Sequence, residues 1–136
     1  MGVAHPRMYS DDDPYLAELR QVCLGFPEAL EVEAWRRPTF RAGKRMFAVF
    51  EGADEHPYAV VFKPEPAERP ALVQDPRYYV PAYYGPSGWL ALDLTAARVD
   101  WDEVAELMES SYRQVALQRM LRVLDRRDGG PSELLR

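Results

Sequence analysis

Five cations fall between Trp35 and Phe50, at Arg36, Arg37, Arg41, Lys44 and Arg45, with no acid among them. Positive groups at that density, on a chain that is acidic elsewhere, suit contact with phosphates or with an acidic surface. Tyr83 and Tyr84 form a second candidate set, in a stretch from Asp75 to Trp89 crowded with tyrosine, proline and glycine. Rings beside a basic patch can stack on exposed bases; the same composition also suits a packed connection whose rings close one end of a core. Glu31 and Glu33 share a face if their segment is a strand, as an acid/base couple would, yet no third group completes a site. His5, His56 and the single Cys23 make no Cys/His or Ser/His/Asp arrangement and no zinc-ligand spacing. Gly43-Lys44 lacks the earlier glycine and following hydroxyl of a phosphate-binding loop. His56 beside Asp54 and Glu55 reads as a solvated turn, and the acids Asp11 to Asp13 read as a helix cap, since consecutive acids cannot all turn to one cation. The expectation is therefore a protein that is not an enzyme, with no metal and no cofactor.

The elements that must position these groups follow from local chemistry. Thr39 to Arg41, Arg45 to Phe50 and Tyr58 to Lys63 are rich in aromatic and β-branched residues, separated by Ala42-Gly43-Lys44 and by the polar turn Gly52 to Pro57. They read as a β-meander. Before it, Glu28 to Trp35 alternates as a half-buried strand, with Leu30 and Val32 on one side and the two glutamates on the other, facing solvent and the basic hairpin. Asp13 as N-cap and Pro14 at the first helical position start a helix whose apolar face is Tyr15, Leu16, Leu19, Val22, Cys23 and Phe26. Cys23 on that face reads as a small core residue. Glu65 to Val73 reads as a short helix that Pro70 confines to about a turn. Trp89 to Leu94 alternates as a further strand, which makes Tyr83 to Gly88 a second hairpin-like loop. A long last helix begins at Asp100, with Glu103 in capping-box position, and turns Val104, Leu107, Met108, Ser111, Val115 and Met120 inward. The domain then covers residues 11–124, between a loose tail over 1–10 and a flexible one over 125–136.

Composition sets the outer limits. The chain has 136 residues, 47% hydrophobic and 29% charged, which suits one soluble α+β domain. No apolar run is long enough to span a membrane and the polar start has no signal-peptide pattern, so no membrane partner and a cytoplasmic location are expected. The net charge of −5 argues against wholesale affinity for nucleic acid. Its distribution is uneven: residues 35–50 carry +5 and residues 113–127 carry +4, in an acidic background. If those segments meet they make one basic face; if not, each is a solvated surface.

The ordered set Trp35-Arg36-Arg37, Pro38-Thr39-Phe40-Arg41, Lys44, Met46-Phe47-Ala48, Lys63, Asp75-Pro76-Arg77-Tyr78, Pro81-Ala82-Tyr83, Gly88-Trp89, Leu92-Asp93-Leu94, Trp101 and Tyr112-Arg113 resembles the MmcQ/YjbR family over about Tyr15 to Arg122. The resemblance implies an antiparallel sheet with an N-terminal and a long C-terminal helix packed on it, described as CyaY-like. It also implies a double-wing arrangement that has suggested DNA binding. Under that reading Arg41, Lys44 and Arg45 contact phosphates, Tyr83 and Tyr84 pack on sugar or base, and Arg36 and Arg37 are weaker candidates because alternation sends them to opposite faces. Such contacts are weak, salt-sensitive and blind to sequence. This chain departs from the family where Pro86-Ser87 replaces a frequent lysine and where Leu117-Gln118 replaces a Pro-Lys pair. Both changes subtract from the nucleic-acid reading. The alternative is a non-catalytic interaction or oligomerisation module whose basic hairpin meets an acidic protein partner or a second copy, with no oligomeric state specified by the sequence.

Overall fold

The computed structural model describes residues 9–53 and 56–134. Its elements run α1 (Pro14–Leu24), β1 (Ala29–Ala34), β2 (Arg37–Ala42), β3 (Arg45–Ala53), β4 (His56–Phe62), α2 (Arg69–Leu72), β5 (Tyr78–Tyr79), β6 (Leu90–Asp93), α3 (Trp101–Val115) and α4 (Gln118–Leu134). The strands form one antiparallel sheet in the order β1-β2-β3-β4-β6-β5. The fold is α+β, with the helices gathered on one face.

The helix caps are those expected. Asp13 Oδ1 accepts the amides of Tyr15 and Leu16, and Asp100 Oδ1 those of Asp102 and Glu103. Glu103 does not return the bond as a capping box would; its carboxylate accepts from both terminal nitrogens of Arg77. α2 is a single turn with Pro70 in its first positions. Cys23 is fully buried among the core residues, and burial pushes its thiol well up.

Leu16, Leu19, Phe40, Phe62, Leu90, Val104, Met108 and Tyr112 build the core between helices and sheet. A register shift between β2 and β3, with Phe40 opposite Ala48 but Arg41 opposite Met46, inserts one residue. This bulge turns both Phe47 and Ala48 inward. Ser111 Oγ ties α3 to the sheet by accepting the Lys63 amide at 2.9 Å and donating to the Phe47 carbonyl at 2.6 Å. Tyr112 donates to the Pro27 carbonyl at 2.6 Å, fixing the turn after α1.

Three expectations change. β1 alternates, but its glutamates do not form one solvent face: Glu31 is half-buried and takes a bidentate contact from Arg20 of α1, while Glu33 is exposed and accepts from the Tyr9 hydroxyl. Leu30 and Val32, on the other side of the strand, are exposed as well. The long last helix is broken at Ala116, whose ψ of 151° is extended. The break lets α4 fold back. Arg113 meets Asp125 at 2.9 Å, whereas a continuous helix would hold them about 18 Å apart along its axis at 1.5 Å per residue. Met120 and Leu124 thereby enter the core. α4 itself runs to Leu134. Finally, His56 is not a solvated turn residue: it begins β4, lies 3.1 Å from Asp93 through Nδ1, and stacks on Tyr79 at 4.0 Å. Asp54, Glu55 and His5 lie outside the described residues.

Candidate functional site

The face of the sheet away from the helices carries a small second cluster. Val49, Val61 and Ala91 are fully buried there, covered by Met46, Tyr79, Tyr84 and Trp89. The segment between β5 and β6 supplies Tyr84 and Trp89 of that cover. It starts at the far edge of the sheet and includes a 3-10 turn over Gly85–Ser87 that closes on Gly88 at φ 88°. Tyr84 lies against Trp89 at 6.1 Å, half-buried, while Tyr83 stands 87% exposed.

This cover reaches the turn that joins β1 to β2. Ala34 opposes Arg37, so Trp35-Arg36 is a two-residue hairpin turn. Both residues have positive φ, 52° and 65°, as a primed turn requires. Glycine or asparagine normally fills such positions, because a bulky side chain is strained there. Trp35 is nonetheless 61% exposed. Trp35, Arg37, Tyr83 and Tyr84 together line one shallow, mostly apolar pocket of about 360 Å³.

Beneath it runs a polar row. Arg37 faces Glu51 at 3.7 Å, Glu51 opposes Ala59, and Ala59 opposes Asp93. Arg37 Nε and Glu51 Oε2 are buried without a hydrogen-bond partner. Burial, with Glu51 and Asp93 adding to it, pushes the Tyr79 hydroxyl up to about 12. Burial and Glu51 also raise Tyr84, with Arg37 opposing them. Asp93 is held below the usual carboxylate range: burial would raise it, but the Thr95 hydroxyl and amide and His56 outweigh that. Among the described residues no group of three or more metal-ligating side chains gathers.

The basic residues singled out in the sequence do not gather at one place. Arg36 and Arg37 stand at the start of β2, with Trp35, Tyr83 and Tyr84 near Arg37. Lys44 and Arg45 stand at its other end, about 17 Å away for a six-residue strand at 3.3 Å per residue. Arg41 lies between them, its Nε 3.2 Å from Thr39 Oγ1. At the hairpin tip Gly43 is in the left-handed region at φ 64°, and a Cβ there would lie 3.0 Å from the Met120 side chain. Hairpin and α4 therefore do meet. Their charges are partly answered: Arg119 is bidentate to Glu28, and Arg113 pairs with Glu109 and Asp125. Trp35 is the site residue that the sequence reading omitted. In the sequence it closes the stretch read as the first strand, and neither the turn nor its exposure is signalled there.

An open-faced antiparallel sheet, backed by helices and crossed on its free side by an aromatic loop, defines the structural class. The YjbR family model matches residues 24–114, and the chain belongs to that family. Among solved structures it is similar to a Deinococcus radiodurans protein, DR2400, which carries a DUF419 domain. That match has 21% identity and a TM-score of 0.65, and covers 80% of this chain and 86% of the other. It speaks for the fold. No curated protein matches the chain. Among the described residues no helix is long and apolar enough to cross a membrane.

Proposed function

We propose that this protein is a non-catalytic DNA-binding protein that takes unpaired bases at the Trp35–Tyr83 end of the sheet, holding the backbone by weak, sequence-blind phosphate contacts. One observation carries the reading. Trp35 and Tyr83 are the two most exposed large hydrophobic side chains among the described residues, and they line the same pocket with an arginine. Base–aromatic stacking contributes about 1–3 kcal/mol per base and tolerates any sequence, because every base has a π-face. Arg36 is exposed in the turn and Arg41 is half-exposed along β2, within reach of a backbone that runs past the pocket. Two or three phosphate contacts give a salt slope of about −1.5 to −2 for a single strand. The double-wing reading shifts accordingly, from phosphates contacted by the β2–β3 hairpin to a single strand laid against the β1–β2 turn.

The test is fluorescence anisotropy of a labelled single strand and its duplex across a salt series. The single strand should bind more tightly. W35A/Y83A should lose about tenfold or more, from at least one stacked base, and K44E/R45E should lose less than R36E/R41E. A folded W35A/Y83A protein that binds like wild type, or a wild type that does not bind at low salt, would sink the proposal.

A further inference from the structure

The opposite end of β2 has different chemistry. A groove of about 670 Å³ opens there between the hairpin tip, the start of β1 and the corner where α3 gives way to α4. Its walls are aliphatic: Leu30, Val115, Leu117 and Met120. Leu30 is 52% exposed and Leu117 is 49% exposed, so two leucines from opposite ends of the sequence present apolar surface to one groove. Neither position is forced by packing. Leu30 belongs to the edge strand, and Leu117 stands at the helix break just beyond the extended Ala116.

We propose that this groove docks an aliphatic, acidic segment of a partner protein. The rim supplies the charge argument. Lys44 and Arg45 are exposed at the hairpin tip, and no ion pair among the described residues engages either, while Arg119 beside them is already occupied by Glu28. Two unanswered cations beside aliphatic walls select a peptide with Leu-, Ile- or Met-type side chains flanked by Asp or Glu. A nucleic acid fits less well, since the walls offer no ring on which a base could stack. A second copy of this chain fits less well too: the open edge beside Leu30 carries Glu31 and Glu33, and antiparallel self-pairing of β1 would set glutamates of the two copies opposite or next to one another.

The test is selection of displayed random 12-residue peptides on the full-length protein, followed by synthesis of the leading sequence. Enriched peptides should carry at least two acids and two large aliphatic residues. The synthetic peptide should bind about tenfold more weakly to K44E/R45E and to L117D, and unchanged to W35A/Y83A. Both altered sites are exposed, and circular dichroism checks that each variant keeps its fold. Enrichment that is equal on wild type and K44E/R45E/L117D would overturn the proposal. So would peptides without acids, a peptide displaced by single-stranded DNA and lost in W35A/Y83A, or a groove occupied only by self-association in sedimentation. Because the two sites share no residue, failure here leaves the DNA-binding reading untouched, and the reverse also holds.

Discussion

Changing the β1–β2 turn to Asn-Gly, as W35N/R36G, is expected to stabilise the protein while weakening DNA binding about tenfold. Trp35 and Arg36 sit at φ 52° and 65°. The left-handed region costs a residue with an ordinary Cβ roughly 1–2 kcal/mol. Glycine at 36 removes that cost and asparagine at 35 reduces it, while the entropy of a new glycine returns about 0.5–1 kcal/mol. Trp35 is 61% exposed, so little packing is lost with it. The net gain is about 1–2 kcal/mol, or roughly 3–10 °C in Tm for a domain of this size. Urea unfolding followed by far-UV circular dichroism reads it as a higher midpoint at unchanged m. Anisotropy with a labelled single strand reads the weaker binding. Unchanged or lower stability would refute the claim that the turn stores strain, and with it the argument that Trp35 is retained for something other than folding.

Other expectations follow from the same contacts. R37M alone leaves Glu51, whose side chain is only 12% exposed, without its pair and should cost about 1–3 kcal/mol in urea unfolding, whereas R37M/E51L should come close to neutral. S111A strips partners from the Lys63 amide and the Phe47 carbonyl; a loss of about 2–4 kcal/mol and faster hydrogen exchange at Lys63 are expected, and unchanged exchange would contradict the tie. Y112F removes the hydroxyl that reaches Pro27 and should cost about 1 kcal/mol by the same measurement. Asp93 titrates below its unfolded value near 3.9, so it adds stability above that pH and gives it up as the pH falls through the folded value. Carboxyl NMR titration should find Asp93 raised in H56A and T95A, and an unshifted titration would contradict that arrangement.

The features legible in the sequence were those fixed by neighbours along the chain. Asp13 and Asp100 cap their helices because a cap needs only the next few amides. Gly43 turns the β2–β3 hairpin because the backbone there needs its freedom. The separation of Arg37 from Lys44 also follows locally, from the length of one strand. Alternation in β1 shows two faces but not which one the helices cover; Arg20, reaching across from α1 to Glu31, decides that. The break at Ala116 is invisible in a pattern of apolar spacing that continues through it, because what goes with it is tertiary: α4 folds back and Met120 and Leu124 enter the core. The pocket is the least local feature. It requires the loop after β5 to cross from one edge of the sheet toward Trp35 at the other.

The measurement closest to the central claim is titration of an unlabelled single-stranded oligonucleotide into 15N-labelled protein at low salt. Saturable shifts should appear at the amides of Trp35, Arg36, Arg37, Tyr83 and Tyr84 and at the Trp35 indole N–H, fading as salt is raised. Shifts confined to Lys44, Arg45 and Leu117, or no saturable shift at all, would contradict it.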